Sequence, residues 1–564
     1  MDDKSTYSQF ACIGSGFSAI CLGATLKRWY GISDIRLFER HGDLGGTWFI
    51  NSYPGCACDV PSILYSLSFA PNPEWSSTFP GAHELWLYLK KVADDYDLTP
   101  KISFKTRVVR CEWLEESSRW RIHYERVDAG TSESFVHECQ FLFSGSGILT
   151  QPSIPKLPGM ESFGGSLFHA SRWPAHLDMR GKRVVIVGNG CTAAQIIPSI
   201  VEQTSHLTQV VRSKHWIVPA AVVPDTKTFR WFCRNVPGFL VSMRFIVFAV
   251  LEETFRTFFV SSASNKLRAA QQAKVEHFMR SKVPEKYHHL VIPDFELSCK
   301  RRIFDAGYLD SMHSPKLTIT DDAVAEVLPA AIRTKSGAKI DADVIVLATG
   351  YQTNDFMHGI DLVGRRGIDM REHWESFGGA EAYNCSAMND FPNFFMILGP
   401  NTATGHTSTI LAIENSVNYA LRIIKPVLDG DATAAEVKRE AEARYSKEMQ
   451  RDLQQTVWFG NCSSWYTKLK ADGTRWNATT YPRFQGEFWY KCLFPNYNDW
   501  QYTMTPGSTR RRFLRKTYKI LSWAVYILLG IGLGVTVRDN GFNFANYLPY
   551  LYQSYLELKR RLSF

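Results

Sequence analysis

The feature that most constrains the fold of this chain is a glycine-rich turn that occurs twice, each time between a short apolar strand and a helix. The first copy is Gly14-Ser-Gly16-Phe-Ser-Ala19 and the second is Gly188-Asn-Gly190-Cys-Thr-Ala193. In such a unit the first glycine makes the tight turn, the second lets the backbone approach a pyrophosphate, and the alanine allows close helix–strand packing. The pattern predicts two Rossmann-like dinucleotide-binding domains in an α/β fold.

The residue that ends the strand after each helix distinguishes the two dinucleotides. The first strand ends in Glu39, and the second ends in Arg212, which Ser213 follows. An acid in this position hydrogen-bonds a free ribose diol, whereas an arginine accommodates a 2′-phosphate. We therefore expect FAD at the first site and NADPH at the second. The alternative for Arg212 is an ordinary solvated surface charge.

Two nucleotide sites in one chain indicate a flavoenzyme that transfers hydride from NADPH to FAD. Disulfide reductases share this layout, but they need a CxxC pair, and the nearest approach here is Cys56-Ala-Cys58. The composition, with 45% hydrophobic and 21% charged residues, is ordinary for a globular protein. The net charge of +9 is spread along the chain except at 510–519, so we expect no nucleic-acid partner. No His, Cys, Asp or Glu cluster has metal-ligand spacing.

Two longer patterns narrow the chemistry. Residues 163–174 read FGGSLFHASRWP, which matches FxGxxxHxxxW followed by Pro or Asp, and residues 45–59 read GGTWFINSYPGCACD. With these motifs, together with ATGY at 348–351 and GPN at 399–401, the chain resembles the type I Baeyer–Villiger monooxygenases, which are class B flavoprotein monooxygenases. The resemblance covers about residues 8–505.

The resemblance implies a catalytic pair and a set of cofactor-binding residues. Asp59 would face the flavin and the nicotinamide and pair with a catalytic arginine from the NADPH domain. The stretch Cys299-Lys-Arg-Arg302 resembles the corresponding family segment and makes Arg301 the candidate. The alternative is that this stretch is an ordinary solvated basic run. His169 is expected to belong to a hinge rather than to transfer protons. The implied cofactor contacts are Gly14, Gly16, Ala19, Glu39, Gly46, Thr47, Trp48, Asp59, Val60 and Tyr65 for FAD, and Gly188, Asn189, Gly190, Thr192, Ala193, Arg212, Ser213 and Lys300 for NADPH.

The implied reaction inserts one oxygen atom from O2 into a ketone and gives an ester or a lactone. Arg301 would stabilise the developing negative charge, and ionised Asp59 would hold Arg301 in place. A bulky lipophilic ketone of secondary metabolism is expected by analogy. N- or S-oxygenation is the alternative within the same class, and a membrane-anchored nucleotide-binding protein without turnover is the alternative from another class. The sequence leaves the oligomeric state undetermined.

The expected organisation is an FAD domain, formed by 1–150 and 385–505, that is interrupted by an NADPH domain at 151–384. A helical insertion at about 225–295 either caps the substrate site or is ordinary helical packing, and 457–476 resembles a loop that lines the active site. Residues 506–564 contain a basic segment, an uncharged helix at 520–537 and an amphipathic tail. The uncharged segment predicts membrane attachment. Because the basic residues precede it, we expect the catalytic domain to face the cytoplasm, at the endoplasmic reticulum in a eukaryote. A buried or interfacial hairpin is the alternative.

Overall fold

The computed structural model describes residues 7–127, 134–220, 226–460, 464–470, 472–540 and 553 of the 564-residue chain. These residues form two α/β lobes, each built on its own sheet with its own buried core. The architecture therefore has the two sheets that two dinucleotide-binding units require.

An eight-stranded mixed sheet forms the first lobe. Its strands are β1 (Tyr7–Ile13), β2 (Ile35–Phe38), β3 (Ile102–Ser103), β4 (Thr106–Leu114), β5 (Arg119–Arg126), β6 (Ser134–Ser144), β17 (Asp361–Val363) and β18 (Phe394–Met396). Strand β1 lies between β2 and β6 and is parallel to both, whereas β4, β5 and β6 form an antiparallel meander. Phe10 and Cys12 pack into one core cluster and Ala11 and Ile13 into another, so both faces of β1 are covered.

A five-stranded parallel sheet forms the second lobe. Its strands are β7 (Ser166–His169), β8 (Arg183–Val187), β9 (His206–Val210), β12 (Leu317–Thr320) and β16 (Val344–Leu347). The order β12-β9-β8-β16-β7 puts β8, which leads into the second glycine-rich turn, at the centre of the sheet. Strand β7 carries part of the 163–174 motif and pairs with β16 at one edge.

Short strands complete the two lobes. They are β10 (Ile217–Val218) with β11 (Ile303–Phe304), the group β13 (Val324–Leu328), β14 (Ala331–Thr334) and β15 (Lys339–Asp341), β19 (Ala432–Val437) with β22 (Trp500–Met504), and β20 (Lys468–Leu469) with β21 (Arg475–Trp476).

Helices α1 and α4 begin at the two glycine-rich turns. The α-helices are α1 (Phe17–Tyr30), α2 (Thr47–Ile50), α3 (Ala82–Asp95), α4 (Cys191–Ile200), α5 (Lys227–Asn235), α6 (Phe239–Glu253), α7 (Ser262–Lys282), α8 (His288–Val291), α9 (Tyr308–Ser311), α10 (Met370–Phe377), α11 (Thr409–Ile423), α12 (Lys425–Leu428), α13 (Arg439–Gln454), α14 (Gln485–Leu493) and α15 (Ser508–Asn540).

The insertion at about 225–295 is helical and consists of α5 to α8, with a 3-10 turn at Thr254–Phe258 after α6. Arg244 attaches α6 to the first lobe, because its buried Nη1 donates hydrogen bonds to the Ile63 carbonyl at 2.7 Å and to Ser66 Oγ at 2.6 Å. Helix α6 and the 3-10 turn thus pack against the first lobe, where Phe255 and Phe258 join its core, whereas α7 and α8 contribute Met279 and Val291 to the core of the second lobe.

The chain returns to the first lobe earlier than the predicted boundary at 385. Strand β17 already pairs in parallel with β4. Leu362, Met370 and Trp374 are buried in the core of the first lobe. The pairing is between segments far apart in sequence, which explains why the sequence pattern did not reveal it.

The predicted hydrophobic segment at 520–537 lies within α15. Among the described residues, no single helix combines the length and the apolar composition that crossing a membrane requires. The helix pair Lys227–Asn235 and Phe239–Phe258 meets that test only when taken together, and it is bent by 115°. Most of the predicted amphipathic tail lies outside the described residues.

Candidate active site and cofactor sites

The first glycine-rich turn admits no side chain at Gly14. This residue has φ of +105°, and a Cβ on it would lie 2.6 Å from the Gly145 carbonyl oxygen. Its N–H donates to the Phe38 carbonyl at 2.8 Å, which ties the turn to the end of β2. The backbone of Gly16 approaches Gly46, since a Cβ on Gly16 would lie 3.6 Å from Gly46 Cα. The two glycine segments therefore converge, as a closely bound dinucleotide requires.

Glu39 lies buried beside this turn. Its Oε2 accepts hydrogen bonds from Ser15 N at 3.1 Å and from Ser15 Oγ at 2.8 Å, and its Oε1 accepts from His41 N at 2.9 Å. The carboxylate is held at the end of β2, next to the start of α1. This is the position from which an acid binds a ribose diol.

The other predicted FAD contacts lie in α1, in α2 and in the segment that follows α2. Gly46 has φ of +54° and starts α2, which contains Thr47 and Trp48. The rings of Trp48 and Tyr65 meet edge to face at 5.6 Å. Val60, five residues before Tyr65 in the chain, is buried. Ala19 is completely buried within α1 and serves helix packing. We place the flavin side of the site at Gly46 to Trp48 as a prediction.

The second glycine-rich turn repeats the geometry of the first. Gly188 has φ of +137°, and a Cβ on it would lie 2.2 Å from the Ala348 carbonyl oxygen. A Cβ on Gly190 would meet nothing within 4 Å, so the backbone at the start of α4 borders open space. Thr192 and Ala193 follow in the first turn of α4. The turn offers backbone N–H groups to an anion at a helix N-terminus.

A buried hydrogen-bond network that sequence reasoning missed supports this turn. Tyr308 donates a hydrogen bond to Asn189 Oδ1 at 2.9 Å or to Gln209 Oε1 at 2.8 Å, and Asn189 Nδ2 donates to the Ser213 carbonyl at 3.1 Å. Asn189 and Ser213, both predicted NADPH contacts, are thereby joined to each other. Tyr308 carries no sequence signal of its own, because it lies more than a hundred residues away from the turn.

Two cations converge near the end of β9. Arg212 is exposed, and its charge, after burial, is the second cause that lowers the pKa of Lys300. The Lys300 ammonium lies 4.5 Å from the centre of the Phe295 ring and 3.5 Å from the Lys214 carbonyl oxygen. Cations that repel each other in this way favour an anionic ligand such as a 2′-phosphate.

Arg301 of the second lobe forms an ion pair with Asp59 of the first. Its Nε and Nη2 lie 3.0 and 2.6 Å from Asp59 Oδ2. The carboxylate raises the pKa of Arg301 above its ordinary value, while burial acts in the opposite direction. Cys191, the first residue of α4, and Tyr466 lie close enough to contribute to the same field. The pair therefore joins the two lobes beside the start of α4, where the second dinucleotide turn ends.

Two neighbours of this pair, Cys191 and Tyr466, are neutral near pH 7. Burial raises the pKa of the Cys191 thiol to about 11 and that of the Tyr466 phenol to about 12. Tyr466 is in the 457–476 stretch, so the structure brings that predicted loop to the ion pair. The charged guanidinium of Arg301 is suited to stabilise negative charge on a reactant.

His169 joins the second lobe to the segment that follows β16. Its Nδ1 lies 2.8 Å from Ser171 Oγ and its Nε2 lies 3.0 Å from the Gly350 carbonyl oxygen. Burial lowers the pKa of His169, so the ring is neutral at pH 7. Tyr351 meets the same ring edge-on at 5.6 Å and donates to Asn51 in the first lobe at 2.8 Å. The motif histidine thus lies at an interlobe junction, and its hinge role remains a prediction.

Comparison with known proteins decides the family. Residues 9–358 match the family described as flavin-binding monooxygenase-like. A Baeyer-Villiger monooxygenase of Streptomyces coelicolor is 34% identical over 480 residues, which cover 85% of this chain and 89% of the relative. An FAD-binding monooxygenase of Aspergillus niger is 30% identical over 495 residues, which cover 86% of this chain and 80% of the relative. The chain belongs to the flavin-binding monooxygenase-like family.

The chain also superposes on a solved structure, described as oxidized steroid monooxygenase bound to NADP, with a TM-score of 0.77 and 25% identity. The match covers 89% of this chain and 100% of the other. These findings confirm the α/β fold and the interpretation as an FAD- and NADPH-dependent monooxygenase of the Baeyer–Villiger type. The roles assigned to individual residues stay predictions, which the geometry described above makes testable.

Sequence reasoning also missed an aromatic group beside the ion pair in this monooxygenase. Phe255 and Phe258 come from the helical insertion, His406 from the segment before α11, and Trp458 from the predicted loop. The ring centres of Phe258 and Trp458 are 5.3 Å apart, and those of Phe255 and His406 are 4.7 Å apart. The insertion and the predicted loop therefore meet in one buried aromatic cluster.

Proposed function

We propose that this enzyme oxidises a bulky lipophilic ketone of secondary metabolism to an ester or lactone, with Arg301 and Asp59 as its catalytic pair. The observation that carries the proposal is the ion pair between the two lobes, with Nη2 of Arg301 2.6 Å from Asp59 Oδ2. One atom of O2 enters the bond between the carbonyl carbon and its neighbour, and the other leaves as water with two electrons from NADPH.

The residues present fit both cofactors. Gly14 and Gly16 with Glu39 would hold the pyrophosphate and ribose of FAD, and Gly190 with Arg212 would hold the pyrophosphate and 2′-phosphate of NADPH. When bound, these groups supply the hydride and activate O2. The protein then has to position the ketone, exclude water and stabilise negative charge.

Arg301 is suited to the last of these tasks. Its guanidinium is fixed by two N–H groups on one carboxylate oxygen, which leaves its remaining N–H groups to donate to a negatively charged oxygen of the reactants. Asp59 keeps the guanidinium charged and oriented. A charged donor preorganised in this way contributes about 3–4 kcal/mol to transition-state stabilisation.

The lipophilic substrate is supported by the surroundings of the pair. The aromatic cluster of Phe255, Phe258, His406 and Trp458 places buried aromatic rings next to Arg302, which follows Arg301 in the chain. The structural relative named as a steroid monooxygenase is consistent with a polycyclic substrate. The test is a panel of aliphatic, aryl and polycyclic ketones, assayed by mass spectrometry for incorporation of one atom from isotopically labelled O2. Conversion of small polar ketones alone would contradict the proposal.

Membrane attachment through α15, with the catalytic domain facing the cytoplasm, belongs to the same proposal. Its support is the exposure of large apolar side chains along the helix: Phe513, Leu514, Tyr518, Ile520, Leu521, Trp523, Val525, Ile527 and Leu528. The basic residues at its start serve partly to dock it, since Arg511, Arg512 and Arg515 face the buried carboxylate of Asp431. They are therefore not all available to anionic lipid.

Fractionation of the full-length chain tests this attachment. We expect it in the membrane pellet, resistant to high salt and released by detergent, because apolar burial rather than charge holds it. The double variant Leu521→Glu with Leu528→Glu should move it to the supernatant, whereas Lys516→Glu with Arg510→Glu should leave it in the pellet. Full-length wild type in the supernatant would refute the attachment.

A further inference from the structure

Three consecutive basic residues before β11 take three different directions. Lys300 lies beside Lys214 after β9, Arg301 pairs with Asp59 of the first lobe, and Arg302 faces the helical insertion. There, Arg302 Nη2 lies 3.4 Å from Thr254 Oγ1, and the guanidinium carbon lies 5.9 Å from the centre of the Phe258 ring. Arg302 is thus directed away from the cofactor-facing cations and towards the aromatic cluster.

Arg302 lacks the carboxylate that its neighbour Arg301 has. Among the described residues, no ion pair joins it to an aspartate or glutamate. Burial lowers its pKa to about 10, with Tyr466 opposing this shift and Arg301 adding to it, so the group remains charged at pH 7. An uncompensated cation in a partly dry site is unfavourable. A ligand that brings an anion would remove this cost.

The aromatic cluster contains two further polar atoms without a partner. Trp458 is 1% exposed, and its Nε1 forms no hydrogen bond in the described part of the chain. Buried indole N–H groups normally have an acceptor. The Nδ1 of His406 is also unpartnered. Its Nε2 lies 3.0 Å from Glu252 Oε2 and donates to it, which leaves Nδ1 as an acceptor.

The charged and the apolar features lie together. Phe258 is the common neighbour, since its ring centre is 5.9 Å from the Arg302 guanidinium and 5.3 Å from the ring centre of Trp458. Phe255 stacks on Phe258 at 5.3 Å. Phe258 therefore links the unpaired cation of Arg302 to the indole of Trp458 and to the ring of Phe255.

We propose that Arg302 and Trp458 bind a carboxylate of the substrate, so that the ketone this enzyme oxidises is a lipophilic keto acid. The inference rests on the proposed function and specifies its substrate class. Arg302 supplies the charge, Trp458 a second donor, and Phe255 with Phe258 the contact with the carbon skeleton. Arg301 is then left for the oxygen atoms that react. Arg302 is a specificity-determining residue in this scheme.

The first experiment compares two probes of equal shape on the wild-type holoenzyme. They are the para-acetonyl derivative of benzoate and the same derivative of benzamide, each also tested with the side chain one carbon longer. Binding is followed by the change in flavin absorbance with NADP⁺ present, and turnover by mass spectrometry. We expect the acid to bind about 10- to 100-fold more tightly than the amide at one of the two lengths, which is the effect of a charge-assisted pair. Equal binding of acid and amide at both lengths overturns the proposal.

Variants then assign the preference to Arg302. Arg302→Leu and the near-isosteric Arg302→Gln should lower the acid-to-amide ratio to about one, whereas Arg302→Lys should keep part of it. Arg256→Leu is the matched control, because Arg256 lies on the same 3-10 turn that Arg302 faces but is exposed and paired with Glu253. It should leave the ratio unchanged. Flavin content confirms that each variant is folded.

The outcomes distinguish a failure of the proposed role of Arg302 from a failure of the proposed reaction. A raised KM for NADPH in Arg302→Gln, with the acid-to-amide ratio unchanged, means that the residue serves the cofactor and refutes the proposal. Preferential binding of the acid without oxygenation of either probe upholds the role of Arg302 and counts against the proposed reaction instead.

Discussion

The Nη2 of Arg301 lies 2.6 Å from Oδ2 of Asp59, although 242 residues separate them in the chain. The contact joins the lobe of the first glycine-rich turn to the lobe of the second. Asp59 lies in a loop of the first lobe and Arg301 just before β11, so the pair forms only when the lobes come together. Catalysis and domain arrangement are therefore expected to depend on the same contact.

Arg301→Ala should still allow NADPH to reduce the flavin but should abolish oxygenated product. The reason is that the charged donor acts on the oxygen atoms of the later steps, so its loss should reduce product formation by about 100-fold or more. Flavin reduction is followed as NADPH oxidation with release of hydrogen peroxide. Oxygenated product is measured by mass spectrometry. Arg180→Ala, an exposed arginine paired with Asp178, is the control. Normal product yield from Arg301→Ala would remove this residue from the mechanism.

Arg212→Ala should raise the KM for NADPH by about 10- to 100-fold and change that for NADH little, because the guanidinium would contact the 2′-phosphate alone. Steady-state kinetics with both nucleotides give the ratio. Lys214→Ala, which removes a nearby cation paired with Asp294, provides the comparison. An equal effect on both nucleotides would show that Arg212 supports the turn rather than the phosphate.

Gly188→Ala should destabilise the protein by about 2 kcal/mol or more, since it combines strain with a clash. Its φ is +137° and the new Cβ would lie 2.2 Å from the Ala348 carbonyl oxygen. Gly181→Ala is the matched control, with φ of +69° and nothing within 4 Å of the Cβ, and should cost about 1 kcal/mol. Thermal unfolding compares the two. Similar Tm values for both variants would contradict the tight-turn interpretation.

His215 should make the second lobe less stable as the pH falls from about 6.5 to about 4. Burial lowers its pKa to about 4, with Lys300 adding to the effect, whereas the ordinary value is near 6.5. Within that window the unfolded state binds the proton and the folded state does not, so stability is lost as pH falls and no further loss occurs below it. The full effect is about 3 kcal/mol. His215→Asn should lose less stability than wild type over this pH range. The measurement is the free energy of unfolding of both proteins by denaturant as a function of pH. Parallel profiles would show that His215 titrates normally.

The local parts of the molecule could be predicted from sequence. A tight turn with φ beyond +100° needs glycine, so Gly14 and Gly188 mark the two dinucleotide turns without any knowledge of the fold. The strand ends at Glu39 and Arg212 follow from the length of a strand–helix–strand unit. The conformation of such a short unit depends on residues that are neighbours in the chain, so the sequence is enough to predict it.

Tertiary structure decided the contacts between distant segments. The sequence suggested Arg301 and Asp59 only through family motifs, and it gave no sign that Arg302 would face Phe258 or that Tyr308 would support Asn189. The early return of β17 to the first lobe was likewise hidden, because strand pairing is settled by which partner buries Leu362. Such contacts arise from packing between surfaces that local propensity does not specify, and in this protein they form the proposed catalytic pair and the aromatic cluster.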